Sequence, residues 1–129
     1  MPIRVLIADD APFVQEIMEH IVSRAGYVHV GTARDGEEAV KMALQHRPDV
    51  ILMDIVMPKK SGVDATRIIL EQLPLTKIIA VSTQDDEFII TRALEAGCCE
   101  FLVKPFDEKS VVRAIKNSVG LKTQEGATG

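Results

Sequence analysis

Tryptophan is absent from this chain and tyrosine occurs once, at Tyr27, so there is little with which to flank a flavin ring. Cysteine is scarce as well. Cys98 and Cys99 are sequence neighbours, a poor arrangement for a disulfide and not a metal-ligand spacing, so both read as reduced and structural. Long apolar runs are missing: nothing approaches the ~18 residues of a membrane span, and MPIRVLI at the start lacks the long apolar core and cleavage site of a signal peptide. A cytoplasmic protein with no membrane partner is expected. No basic block stands out, since 15 Lys and Arg are dispersed among 19 Asp and Glu for a net charge of −4, which argues against direct contact with nucleic acid. No G-x-G-x-x-G or P-loop pattern occurs, and Gly31 and Gly36 do not build a phosphate-binding loop. His20, His29 and His46 are scattered over a helix, a strand and a helix end, with no spacing that would join two on one ion.

What the chain does have is a regular alternation. The runs IRVLIA (3–8), VHVGTA (28–33), DVILMD (49–54), KIIAVS (77–82) and EFLV (100–103) are short and rich in β-branched residues, which favours strands over buried helix. Between them apolar residues return every three to four positions: Phe13/Val14, Ile17/Met18, Ile21/Val22 and Ala25, then Ala39/Val40 with Ala43/Leu44. A further stripe, Ile89, Ile90, Ala93 and Leu94, is expected to face inward and leave Phe88, Arg92 and Glu95 outside. Gly26 closes the first helix, Asp35 with Glu38 resembles a capping box for the second, and Pro48 and Pro74 stand just beyond the second and third. Asp85 or Asp86 is expected to cap the fourth helix, as Asp107 does the fifth. The pattern is a βα unit repeated five times, which predicts an α/β fold with a five-stranded parallel sheet covered by helices on both faces. At 129 residues this is one domain, taken as 1–121, and the polar, aperiodic TQEGATG at the end makes 122–129 a flexible tail or the start of a linker.

In such a sheet the carboxyl ends of all strands lie on one edge, and ligands bind in the crevice there. Those ends carry Asp9 and Asp10 after the first strand, Asp54 after the third, Ser82 and Thr83 after the fourth, and Lys104 with Pro105 after the fifth. Alone, the Asp9–Asp10 pair reads as a solvated turn and helix N-cap. Together with Asp54 it offers the oxygens that a hard divalent cation such as Mg²⁺ prefers, and the cation offsets the repulsion between the acids. Lys104 adds a positive charge for a second anion. This grouping suits phosphoryl transfer, in which catalysis consists mainly of positioning and of neutralising charge on the phosphoryl oxygens. A carboxylate can itself be the nucleophile and form an aspartyl phosphate. Asp54 is the best candidate, alone at the end of a central strand.

The motifs ADD (8–10), MDIVMPKKSG (53–62), VST (81–83) and FLVKPF (101–106), in this order and spacing, resemble the receiver domain of two-component response regulators, from residue 3 to about 121. The resemblance implies a CheY-like, flavodoxin-like (βα)5 fold in which Asp54 is the phosphoacceptor, Asp9 and Asp10 surround Mg²⁺, and the backbone carbonyl of Val56 is a further ligand. It implies that Lys104 pairs with the phosphoryl group, that Ser82 hydrogen-bonds it, that Phe101 turns inward when it arrives, and that the Lys104–Pro105 peptide is cis. Phe101 stands where the family often has Tyr, which removes a hydroxyl and keeps the ring. The implied donor is a phosphohistidine on a sensor histidine kinase or phosphotransfer protein. The implied output is a surface of the fourth helix, fifth strand and fifth helix that regulates a downstream protein or a fused output domain. Such a domain catalyses only its own phosphorylation and autodephosphorylation.

Two other classes share parts of this pattern. A haloacid-dehalogenase-type phosphatase also uses a strand-end Asp with Mg²⁺, but needs a second aspartate two residues on, where this chain has Val56. A flavodoxin-like FMN carrier would want a hydroxyl-rich loop after the first strand and more aromatics. Whether the receiver stands alone or heads a longer regulator stays open at this level.

Overall fold

The computed structural model describes residues 2–83 and 87–128, with the backbone alone from 121 to 128. Five strands, β1 (Arg4–Ala8), β2 (Val28–Ala33), β3 (Val50–Asp54), β4 (Lys77–Ser82) and β5 (Glu100–Val103), alternate with five helices. These are α1 (Pro12–Arg24), α2 (Gly36–His46), α3 (Gly62–Gln72), α4 (Glu87–Ala96) and α5 (Glu108–Thr128). The strands form one parallel sheet in the order β2-β1-β3-β4-β5.

Every residue of β3 is buried, as its unbroken apolar run requires of a strand covered on both faces. Alternation divides the central strands between two cores. Leu6, Ala8, Ile51, Met53, Ile78 and Ala80 pack with α2, α3 and α4, while Val5, Ile7, Val50, Leu52, Ile79 and Val81 pack with α1 and α5. Each fully buried Leu or Ile stabilises the fold by about 1.5–3 kcal/mol.

The helix stripes are narrower than their apolar residues suggest. α1 buries Met18, Ile21 and Val22, whereas Phe13 is 73% exposed and Ile17 is also open to solvent. In α4 the buried residues are Ala93 and Ala96, and Leu94 faces outward with Phe88 instead of joining Ile89 and Ile90. The reason is geometric: a helix lying on a sheet presents only a limited arc to it, and residues at the margin of the stripe fall outside that arc.

Helix ends follow local chemistry. Gly26, after α1, takes φ +87°, a left-handed conformation that favours glycine. The Asp35 carboxylate accepts the Glu38 N–H at 2.8 Å, but the return bond of a capping box is displaced by one residue, because the Glu38 carboxylate accepts from Arg34 N–H at 3.0 Å. The Asp107 carboxylate accepts from Ser110 N–H at 2.8 Å and caps α5. The expected cap at Asp85 or Asp86 lies outside the described residues. Helical backbone continues through Thr128, so residues 122–128 extend α5 beyond the expected domain end.

Gly62 opens α3 directly against the end of β3. Its N–H donates to the Ile55 carbonyl at 2.9 Å, and a Cβ at this position would run into the Asp54 carbonyl. Gly26, by contrast, has open space where a Cβ would point. Gly62→Ala is therefore expected to lower stability by about 1–3 kcal/mol through overpacking and to displace Asp54. Gly26→Ala should cost about 1 kcal/mol through backbone strain alone. Urea unfolding of both variants, with Mg²⁺ titration of each, checks this: only Gly62→Ala should change the ion affinity.

Candidate functional site

The strand order reverses between β1 and β3: the chain leaves β1 for β2 on one side, while β3 lies on the other. Crossovers to opposite faces leave a crevice at the carboxyl ends of these two strands. Asp9 and Asp10 follow β1, Asp54 ends β3, and one carboxylate oxygen of each lies within 4.8 Å of the others. Asp9 is 0% and Asp54 5% exposed, while Asp10 is open to solvent.

Neither Asp9 nor Asp10 caps α1. The N-cap is Ala11, with no side-chain bond, and Pro12 fills the first turn, where a missing N–H is harmless. Asp9 Oδ1 instead accepts the Ala11 N–H at 2.9 Å, which fixes the carboxylate at the mouth of the crevice. From the end of β5, Lys104 Nζ reaches across to Asp9 Oδ2 at 2.7 Å and Asp54 Oδ2 at 3.5 Å. The Lys104–Pro105 peptide is cis.

Burial raises the Asp54 pKa to about 6, helped by the Asp9 carboxylate, while Lys104 and the Val56 N–H, which Asp54 Oδ1 accepts at 3.1 Å, pull it down. For Lys104, burial works against the charge, but the bond to Asp9 and the nearby Asp54 carboxylate outweigh it, and its pKa is raised. Three carboxylates against one ammonium leave negative charge uncompensated in a partly buried crevice. An oxygen-only donor set with that charge fits a hard divalent cation such as Mg²⁺.

Ser82 ends β4, is buried, and pairs in register with Val103; its carbonyl accepts the Lys104 N–H at 2.7 Å. Phe101 lies opposite Ala80 in the β4–β5 ladder and packs, half-buried, against the core shared with α4. Val56 is exposed in the turn after β3. The structure thus gathers Asp9, Asp10, Asp54 and Lys104 into one cluster, sets Ser82 on the adjoining strand end, and leaves Phe101 outside the cluster. Sequence reasoning missed the Asp9–Lys104 bond, which joins residues 95 apart, and the reason for Gly62. It also missed the approach of the β3–α3 loop to α2, where a Cβ on Gly36 would meet the Lys60 backbone and Lys59 Nζ stands 3.7 Å from Asp35. His29 bonds Thr32 Oγ1 at 2.7 Å, and Thr32 in turn bonds Glu19. Cys98 and Cys99 are free thiols; Cys98 is buried, which pushes its pKa up to about 11, and Cys99 Sγ bonds Ser118 Oγ at 3.2 Å.

A parallel βα sheet with three acids and a lysine at its switch point suits a signalling domain of the phosphoryl-accepting class. Residues 5–116 match the response regulator receiver domain, and the chain belongs to that family, whose typical role is a phosphorylation-dependent switch in two-component systems. It is 40% identical over 112 residues to the chemotaxis protein CheY of Thermotoga maritima, covering 87% of this chain and 93% of that one. It is 37% identical over 128 residues to a protein-glutamate methylesterase/protein-glutamine glutaminase of Pyrococcus abyssi, covering 97% of this chain but only 35% of that one. Among solved structures it superposes on one chain of the CheX–CheY–BeF3–Mg²⁺ complex of Borrelia burgdorferi with a TM-score of 0.87 at 32% identity, covering 91% of this chain and 89% of that one.

The raised Asp54 pKa has a consequence for stability. Between its ordinary 3.8 and about 6, the folded chain holds a proton that the unfolded chain has released, so without a cation stability falls as pH rises through that window. The difference corresponds to at most about 3 kcal/mol. Asp54→Asn should therefore stabilise the metal-free protein at pH 7.5, by an amount that shrinks toward zero near pH 4. Urea unfolding in EDTA at both pH values checks this, and an equal gain at both would contradict it.

Proposed function

We propose that Asp54 is the phosphoacceptor of this receiver domain, charged from a phosphohistidine on a sensor histidine kinase or phosphotransfer protein. The observation that carries the reading is the buried Asp54 carboxylate at the end of β3, within 4.8 Å of the Asp9 and Asp10 oxygens and 3.5 Å from Lys104 Nζ. An Asp54 oxygen attacks phosphorus; the phosphorus–nitrogen bond breaks, its electron pair stays on the imidazole, and the phosphoryl group is left on Asp54. Mg²⁺ held by Asp9, Asp10, Asp54 and the Val56 carbonyl would supply charge neutralisation on the phosphoryl oxygens. Lys104 pairs with the new anion, the Ser82 hydroxyl donates to it, and Phe101 moves into the space that Ser82 leaves. The domain performs no chemistry beyond its own phosphorylation and dephosphorylation.

The altered surface is that of α4, β5 and α5, where Phe88 is 67% exposed with Arg92 over its ring at 5.8 Å, and Leu94 and Val103 add apolar area. Its reader is a partner protein or a fused output domain. Relatives of both kinds exist, one spanned almost fully by this chain and one spanned by it for about a third of its length. The receiver unit is taken as 1–121, with 122–129 leading out of it. A cytoplasmic setting fits the histidine kinase donor, and among the described residues no helix is long and apolar enough to cross a membrane. The net charge of −4 supports action through protein contacts, with neither nucleic acid nor membrane bound directly.

Three measurements test this reading. Incubation with acetyl phosphate and Mg²⁺ should give a phosphate adduct labile to hydroxylamine, absent from Asp54→Ala by intact mass spectrometry; equal labelling of that variant would refute the assignment. Mg²⁺ affinity should fall roughly tenfold or more in Asp10→Ala, because one negative oxygen ligand is lost. Beryllofluoride should shift NMR signals from Ser82 through Phe101 and into 111–116, with 39–44 on α2 barely responding; changes confined to the neighbours of Asp54 would leave no switch.

A further inference from the structure

A groove between the end of α1 and the outer face of α5 takes no part in the chemistry above. Tyr27, in its lining, immediately precedes β2 and so stands at the edge of the sheet opposite the carboxylates. The groove has a volume of about 660 Å³, within the range of small-molecule sites. Its walls concentrate positive charge. Arg24 comes from the last turn of α1, and Lys109, Arg113 and Lys116 recur on α5 at spacings of four and three residues, which sets them on one helix face.

In a chain of net charge −4, four of the 15 basic residues therefore line one groove. The single carboxylate in its lining, Glu108, is already paired with Arg24 at 3.6 Å. Asp107 lies close enough to feel the Arg113 charge, but its carboxylate is engaged in capping α5. Among the described residues neither Lys109 nor Lys116 has an ion-pair partner. Tyr27, Ala25 and Val112 add apolar surface to the lining, and Asn117 adds an amide.

We propose that this groove is a second ligand site, for a nucleoside polyphosphate, with the phosphates against Lys109, Arg113 and Lys116 and the base on the Tyr27 ring. The cations supply charge-assisted bonds to phosphate oxygens, and the half-buried phenol ring offers a flat apolar surface to a planar base. The Tyr27 ring among the cations separates this from docking of an acidic protein segment, which needs no planar aromatic surface. None of the residues lining the groove belongs to the acidic cluster or is Lys104, so occupancy can be measured on protein that is not phosphorylated.

Tyr27 is the sole tyrosine and tryptophan is absent, so intrinsic emission reports this groove alone. Inorganic triphosphate is transparent and can be titrated into the full chain in EDTA, where no ion bridges it to the carboxylates. A saturable emission change with a Kd below ~1 mM is expected. ATP, followed by calorimetry under the same conditions, should bind several-fold tighter than triphosphate because the base adds contact. Arg113→Glu, or Arg113→Gln if the reversal impairs folding, should weaken both ligands roughly tenfold, with phosphorylation of Asp54 and the urea midpoint unchanged. Absence of saturable binding, or unchanged binding in the Arg113 variants, would overturn the site. Equal affinity for ATP and triphosphate would overturn the nucleoside assignment, and a poly-glutamate peptide binding as tightly as ATP would reassign the groove to protein docking.

Discussion

The constraint on which the rest depends is the burial of like charge. Asp9 and Asp54 are held out of water at the ends of two neighbouring strands, and Asp10 stands beside them. Buried unpaired carboxylates are costly, and the single ammonium of Lys104 offsets only part of that cost. Every other feature of the crevice makes the arrangement tolerable or holds it in place. Backbone N–H groups of Ala11 and Val56 bond the Asp9 and Asp54 carboxylates. Lys104 is brought from β5, at the far edge of the sheet, by the strand order, and Gly62 lets α3 start against the Asp54 carbonyl without pushing it aside. The residual negative charge suits a hard divalent cation, and a protein that binds one gains stability by mass action.

Much of this is legible in the sequence, because strands buried on both faces announce themselves as short apolar runs. The runs at 28–33, 77–82 and 100–103 coincide with β2, β4 and β5, and the other two begin one residue early. Once the βα repeat is read, the strand ends follow, and with them Asp9, Asp10, Asp54, Ser82 and Lys104. What the sequence conceals is orientation and long-range pairing. Asp9 and Asp10 look equivalent as neighbours, yet one is sealed in and the other open, because a turn sends successive side chains in different directions. Phe13, Ile17 and Leu94 obey helical spacing and still face solvent, because spacing gives the period of a stripe and not its width. The Asp9–Lys104 bond depends on β1 and β5 being drawn together through β3 and β4, which local patterns do not encode.

The same geometry bears on how a charge at Asp54 would reach a surface. Lys104 is hydrogen-bonded to Asp9 at 2.7 Å and stands farther, at 3.5 Å, from Asp54. A phosphoryl group brings about 1.5–2 negative charges, and on the proposed reading it competes for that ammonium. Lys104 is also the residue whose N–H holds the Ser82 carbonyl at 2.7 Å, so the ends of β4 and β5 are tied by backbone at the point where the side chain is pulled. Ser82 pairs with Val103, and Phe101 sits two residues earlier on the same strand, against the core of α4.

Magnitudes show why one contact would not be enough. Moving a two-state equilibrium from 1:99 to 99:1 needs about 5.5 kcal/mol of differential interaction, whereas a hydrogen bond to a charged group contributes about 1.5–3 kcal/mol. The Lys104 pairing falls short of the first figure, and part of it is offset by loss of the bond to Asp9. On the proposed reading a second donor at the strand ends would add to it, and Ser82 is the buried hydroxyl that ends β4 beside Lys104. Because its movement is what would vacate room for Phe101, the contact that completes the energy difference is also the one that would pass it on to the α4–β5 surface, where Phe88 and Leu94 already face solvent.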